Sequence, residues 1–123
     1  MTSWIKMVND DDANSDLQEA LDVARTPHGT VDNVMRVHSL RPHTMHGHMK
    51  LYRAVLHDEA NTLPTWLQEV IGSYVSTLNE CHYSFANHWK NAAYLIGDKN
   101  RANAIEDALR RRRLTDVFGG AEL

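Results

Sequence analysis

The chain has one cysteine, Cys81, so no disulfide can close within it, and a lone thiol sets a reducing cytoplasm as the expected compartment. Basic residues are not in excess. Thirteen Lys and Arg face 16 Asp and Glu, and the formal charge of -3 argues against general nucleic-acid binding, which rests on a basic surface. No long apolar run or leader-like segment appears, so neither a helical membrane span nor a secretory start is expected. Strand-like alternation, internal repeats and low-complexity stretches are missing too, which leaves an all-α fold as the expectation. At 123 residues and 42% hydrophobic content, the expected organisation is one domain of about five or six helices.

What is present concentrates between Leu63 and Gly97. Trp66, Leu67, Val70, Ile71, Tyr74, Val75 and Leu78 recur at helical intervals, with Pro64 placed for a first turn and Asn79 for the end. Glu69, Ser73 and Ser76 fall on a polar flank beside that stripe. A break at Asn79 and Glu80 opens a second helix near Cys81, carrying Phe85, Trp89, Ala92, Ala93 and Ile96 up to Gly97 as its stop. The two helices are expected to pack as a hairpin.

In the second helix the i, i+3, i+7 spacing puts Cys81, Ser84 and His88 on one face. A cysteine at a helix N-terminus meets unpaired N–H groups that favour the thiolate, and a nearby imidazole adds to this. Glu69, delivered from the preceding helix, would orient that imidazole or relay a proton. The bland alternative is a small buried apolar Cys81 with Ser84, His88 and Glu69 as ordinary surface or satisfied polar groups.

Glu69, Cys81, Ser84 and His88 resemble the signature of the alkylhydroperoxidase-like, or carboxymuconolactone decarboxylase, family: a Glu, eleven residues, Cys-x-x-Cys, three residues and a His. The setting VSTLNECHYSFANHW is similar to that motif's usual context. VHSLRPHTMHGHMKLYRAVLH and LPTWLQEVIG resemble the family's peroxidase-related branch, so the likeness runs from about Val34 to Leu109. It implies an alkylhydroperoxidase-like helical fold, a homo-oligomer, and thiol redox chemistry without metal, haem or nucleotide cofactor.

Two departures bear on that chemistry. Ser84 stands where the family has its second cysteine, so an internal disulfide cycle gives way to a one-cysteine mechanism with an external thiol as reductant. Members of the branch also continue with further helices beyond the region matching 110–123, which implies that a second chain supplies them. The leading expectation is hydroperoxide reduction with Cys81 as redox nucleophile, His88 as base, Glu69 as relay and Ser84 as a hydrogen-bond donor. One alternative is non-redox acid–base chemistry by Glu69 and His88 on a small organic acid or lactone. Another is a non-catalytic subunit that retains the fold.

In the remaining chain, Trp4, Ile5, Met7 and Val8 form an apolar arm expected to dock on a core or a neighbouring subunit, followed by an acidic, solvated turn from Asn9 to Asp12. A helix capped near Ser15 turns Leu17, Ala20, Leu21 and Ala24 inward. Val31, Val34, Met35 and His38 predict a short helix, and Met45, Met49, Tyr52 and Leu56 the packing face of one starting at Pro42. Of the histidines His38, His43, His46, His48 and His57, His43 and His46 are the pair at helical spacing, and no HExxH or CxxC accompanies them. His82 is expected to face solvent or another subunit. Asp98 caps a last helix with Ala102, Ile105, Ala108 and Leu109 inside and four arginines, Arg110 to Arg113, at its end. Val117, Phe118 and Leu123 are apolar positions of the tail.

Overall fold

Helical periodicity dominates every segment long enough to carry it, and the computed structural model, which describes residues 3–120, is correspondingly all-helical: six α-helices and no strand among the described residues. None of these helices is long and apolar enough to cross a membrane. The backbone forms two compact units, divided between Asp58 and Glu59.

In the first unit, α1 (Ser15–Ala24) starts where the Asn14 side chain accepts the Leu17 N–H at 3.0 Å, satisfying one of the donors a helix start leaves unpaired. Its buried face is the expected Leu17, Ala20, Leu21 and Ala24, packed with Val31, Met35 from α2 (Asn33–Arg36) and Met45 from α3 (Pro42–Leu56). Val34 is exposed. Along the α3 stripe only Met45 is fully buried; Met49 packs at the margin of the core. The N-terminal arm docks through Val8, whose N–H donates to Ser39 Oγ at 2.9 Å, while Trp4 and Ile5 are exposed. The acidic run is not purely solvated. It forms a 3-10 turn, Asp10–Asp12, and Asp10 pairs with Arg36; hydrogen bonds from that guanidinium hold the Asp10 carboxyl below its ordinary value. Asn14→Ala is expected to cost about 1 kcal/mol, measured by urea unfolding, because it strips α1 of its cap.

The second unit contains α4 (Thr65–Leu78), α5 (His82–Ile96) and α6 (Lys99–Arg111), followed by a 3-10 turn at Leu114–Asp116. The hairpin of α4 and α5 is the main packing pair, and α6 lies against both. Leu67, Val70, Phe85, Ala92, Ile105, Leu109 and Phe118 form the core. Gly97 stops α5 in the left-handed region at φ 70°, and Asp98 accepts the Arg101 N–H at 2.7 Å to open α6, both as expected. Phe118 is buried and Val117 half-buried; Leu123 lies outside the described residues.

The face that α4 buries corrects the sequence expectation. Glu69, Ser73 and Ser76, placed on a polar flank, are buried, whereas Ile71, Val75 and Leu78 from the apolar stripe are exposed. The seam with α5 selects for small side chains and close approach, and hydrophobic periodicity does not record that demand.

Candidate functional site

Along the α4 seam, Gly72, Ser73 and Ser76 leave space that a larger residue would fill. The serines satisfy their own hydroxyls by bonding back along the helix: Ser73 to the Glu69 carbonyl at 2.8 Å and Ser76 to the Gly72 carbonyl at 2.7 Å. Into this space goes the ring of His88. A Cβ built on Gly72 would lie 2.8 Å from His88 Nδ1 and 2.9 Å from Cε1 and Cγ, so only glycine fits.

The imidazole so placed meets the carboxylate of Glu69, with His88 Nδ1 and Glu69 Oε2 2.7 Å apart. Asn91 Nδ2 donates to the other oxygen, Oε1, at 3.3 Å. Glu69 retains 3% side-chain exposure and His88 28%, so a fully enclosed carboxylate supports a half-open ring. An ionised carboxylate only accepts hydrogen bonds; the proton facing it therefore sits on Nδ1, and Nε2 is the basic nitrogen of the neutral ring. This is the geometry of a carboxylate-oriented general base.

Cys81 occupies the joint between the helices. Its N–H donates to the Ser76 carbonyl at 2.9 Å and the Glu80 N–H to the Thr77 carbonyl at 3.2 Å, with Glu80 in the left-handed region at φ 55°. That pairing is a Schellman closure of α4. Cys81 is also the N-cap position of α5, and its carbonyl accepts the Phe85 N–H at 3.0 Å. With ψ 89° it stands outside the helical register, so the face shared with Ser84 and His88 by ideal spacing begins only after it. The thiol is exposed, contrary to a buried apolar role, and its sulfur makes no hydrogen bond among the described residues.

The thiol lines an open hollow of about 200 Å³ together with Ser76, Thr77, Glu80, His82, Phe85 and Arg110. The Arg110 guanidinium lies 4.3 Å over the Phe85 ring and bonds Glu106 Oε1 through Nε and a terminal nitrogen at 3.0 and 2.7 Å. Ser84 turns to the seam: the Ser76 hydroxyl lies 2.8 Å from Ser84 Oγ as well as against the Gly72 carbonyl. Ser76 thus belongs both to the hollow and to the seam.

The structure brings Glu69 and His88 into contact, links Ser84 to Ser76, and places Cys81 in the hollow. Sequence reasoning passed over Asn91, although its i+3 spacing from His88 was available as a signal, and over Gly72; it placed Ser76 on the polar flank of α4 and Arg110 at the charged end of α6 without assigning either to the site. It also passed over a pair in the first unit, His38 with His48, having noted only His43 with His46 as a pair at helical spacing. Among the described residues, no three of His, Cys, Asp or Glu converge as metal ligands. Comparison with protein-family models, curated proteins and solved structures returns no match for this chain.

Proposed function

We propose that this protein is an alkylhydroperoxidase-like oxidoreductase that reduces hydroperoxides through Cys81, with Glu69 and His88 as proton relay. The observation that carries the reading is the buried Glu69 carboxylate, 2.7 Å from His88 Nδ1, on the hairpin whose joint holds the chain's one, exposed thiol. The Cys81 thiolate attacks one peroxide oxygen and the O–O bond breaks. The alkoxide leaves with a proton passed by the relay, and the sulfur becomes a sulfenic acid. An external thiol condenses with it, releasing water and forming a mixed disulfide, and a second thiol restores Cys81 while leaving as the small-molecule disulfide. Ser76 supplies a hydroxyl at the edge of the hollow, with Ser84 behind it in the seam, 2.8 Å away.

The resemblance to the alkylhydroperoxidase-like family also favours a homo-oligomer, and the exposed Ile71, Val75 and Leu78 stripe on α4 is consistent with one. A second reading, acid–base chemistry on a small organic acid, is favoured by the completeness of the Glu69–His88–Asn91 arrangement without the thiol.

The test is to add one equivalent of an organic hydroperoxide in the presence of dimedone and identify the product by mass spectrometry. A dimedone adduct on Cys81 is expected, together with steady consumption of excess hydroperoxide in a parallel sample that contains a dithiol and no dimedone. An unmodified Cys81 and no consumption would move the assignment to the acid–base reading.

A further inference from the structure

The hydrogen-bond directions around His38 are set from outside the ring. Thr44 Oγ1 donates its single proton to the Arg41 carbonyl at 2.8 Å, so toward His38 Nδ1, also at 2.8 Å, it acts as acceptor. His38 therefore carries its proton on Nδ1. Its Nε2 then accepts from His48 Nδ1–H across 3.0 Å, with the two rings edge to face at 84°.

We propose that the His38–His48 pair is a proton-responsive latch: it holds the turn between α2 and α3 onto α3 while the pair carries at most one added proton, and releases it when both rings are charged. One added proton on either ring leaves a donor on one side of the 3.0 Å contact and an acceptor on the other, and makes the bond charge-assisted. A second added proton puts N–H against N–H and charge against charge. The bond is then lost.

The electrostatic surroundings leave this exchange to the two rings. Burial, and then the charge of His38, push the His48 imidazole below its ordinary value of 6.5. Arg36, on α2, is committed to Asp10 and to the Val31 carbonyl, and Arg53, on α3, to the Val23 carbonyl. Facing α3, α1 presents Leu17, Ala20, Leu21 and Ala24, with Asp16, Glu19 and Asp22 exposed. On α3 itself and at its start, Arg41, His43 and Lys50 are exposed and His46 is half-buried.

What the latch holds extends beyond the turn. Ser39, next to His38, accepts the Val8 N–H and so anchors the N-terminal arm. A group whose folded pKa lies below its unfolded one contributes stability that is complete above the unfolded value, and loses it as pH falls through 6.5 toward the folded value. Opening is therefore an acid response.

The experiment is an NMR titration of the histidine side chains of the whole chain, with amide exchange followed at Val8, Ser39 and Arg41. The expected result is a coupled pair whose second proton binds at least tenfold more weakly than to an isolated imidazole, with those amides exchanging at least tenfold faster, relative to α6, once it has bound. His48→Asn keeps a donor toward His38 without a second titrating ring, and should abolish the acid-induced rise in exchange relative to α6. Independent single-step titrations of His38 and His48, or an acid-induced rise in exchange relative to α6 that survives in His48→Asn, would overturn the proposal.

Discussion

Glu69→Gln is expected to lower hydroperoxide turnover about 10²- to 10⁴-fold while the chain stays folded. The amide is close to isosteric, so the α4–α5 seam keeps its shape, and Asn91 can rotate its own amide to suit the new one. What disappears is the charge. In the proposed relay His88 becomes an imidazolium against Glu69, and in a buried setting a carboxylate stabilises that cation far better than an amide dipole does. Glu69→Ala should add a stability loss of about 1–3 kcal/mol, because His88 Nδ1 and Asn91 Nδ2 lose their acceptor. Steady-state kinetics and urea unfolding of both variants separate the two effects. Parental turnover in Glu69→Gln would remove the dyad from the mechanism.

Gly72→Ala should destabilise the protein by about 1–3 kcal/mol and reduce turnover by about 10²-fold. A single methyl does this because its carbon would lie 2.8 Å from His88 Nδ1, well inside van der Waals contact. The ring must slide away from α4, which stretches the 2.7 Å bond to Glu69. A double-mutant cycle isolates the cause: in a His88→Ala background the methyl meets no ring, and its stability cost should largely vanish. Additive costs would mean that Gly72 matters for the helix alone.

Much of the helical plan was legible in the sequence because it is local. Asp98 as a cap, Gly97 as a stop and the inner faces of α1 and α6 follow from side chains acting within a turn or two of themselves. The four-residue site pattern was visible only through its resemblance to a family, and geometry joins just Glu69 and His88 of it directly. The rest was hidden for physical reasons. On α4 the larger residues Ile71, Val75 and Leu78 drew the hydrophobic pattern outward, while close helix approach buried Gly72's neighbours Ser73 and Ser76. His38 and His48 meet because the chain reverses between α2 and α3, a contact that i, i+3 and i, i+4 spacing cannot register.

Cys81 is the last residue of one helix's closure and the first of the next helix's cap, bound to both by its peptide groups and to neither by its sulfur. An oxygen or a second sulfur added there changes nothing in either hydrogen-bond ladder. Chemistry at the thiol is thereby insulated from folding, whereas chemistry at His88, which fills the place of a missing side chain on α4, is not. Modification of the first should be conformationally silent; modification of the second should loosen the hairpin that carries it.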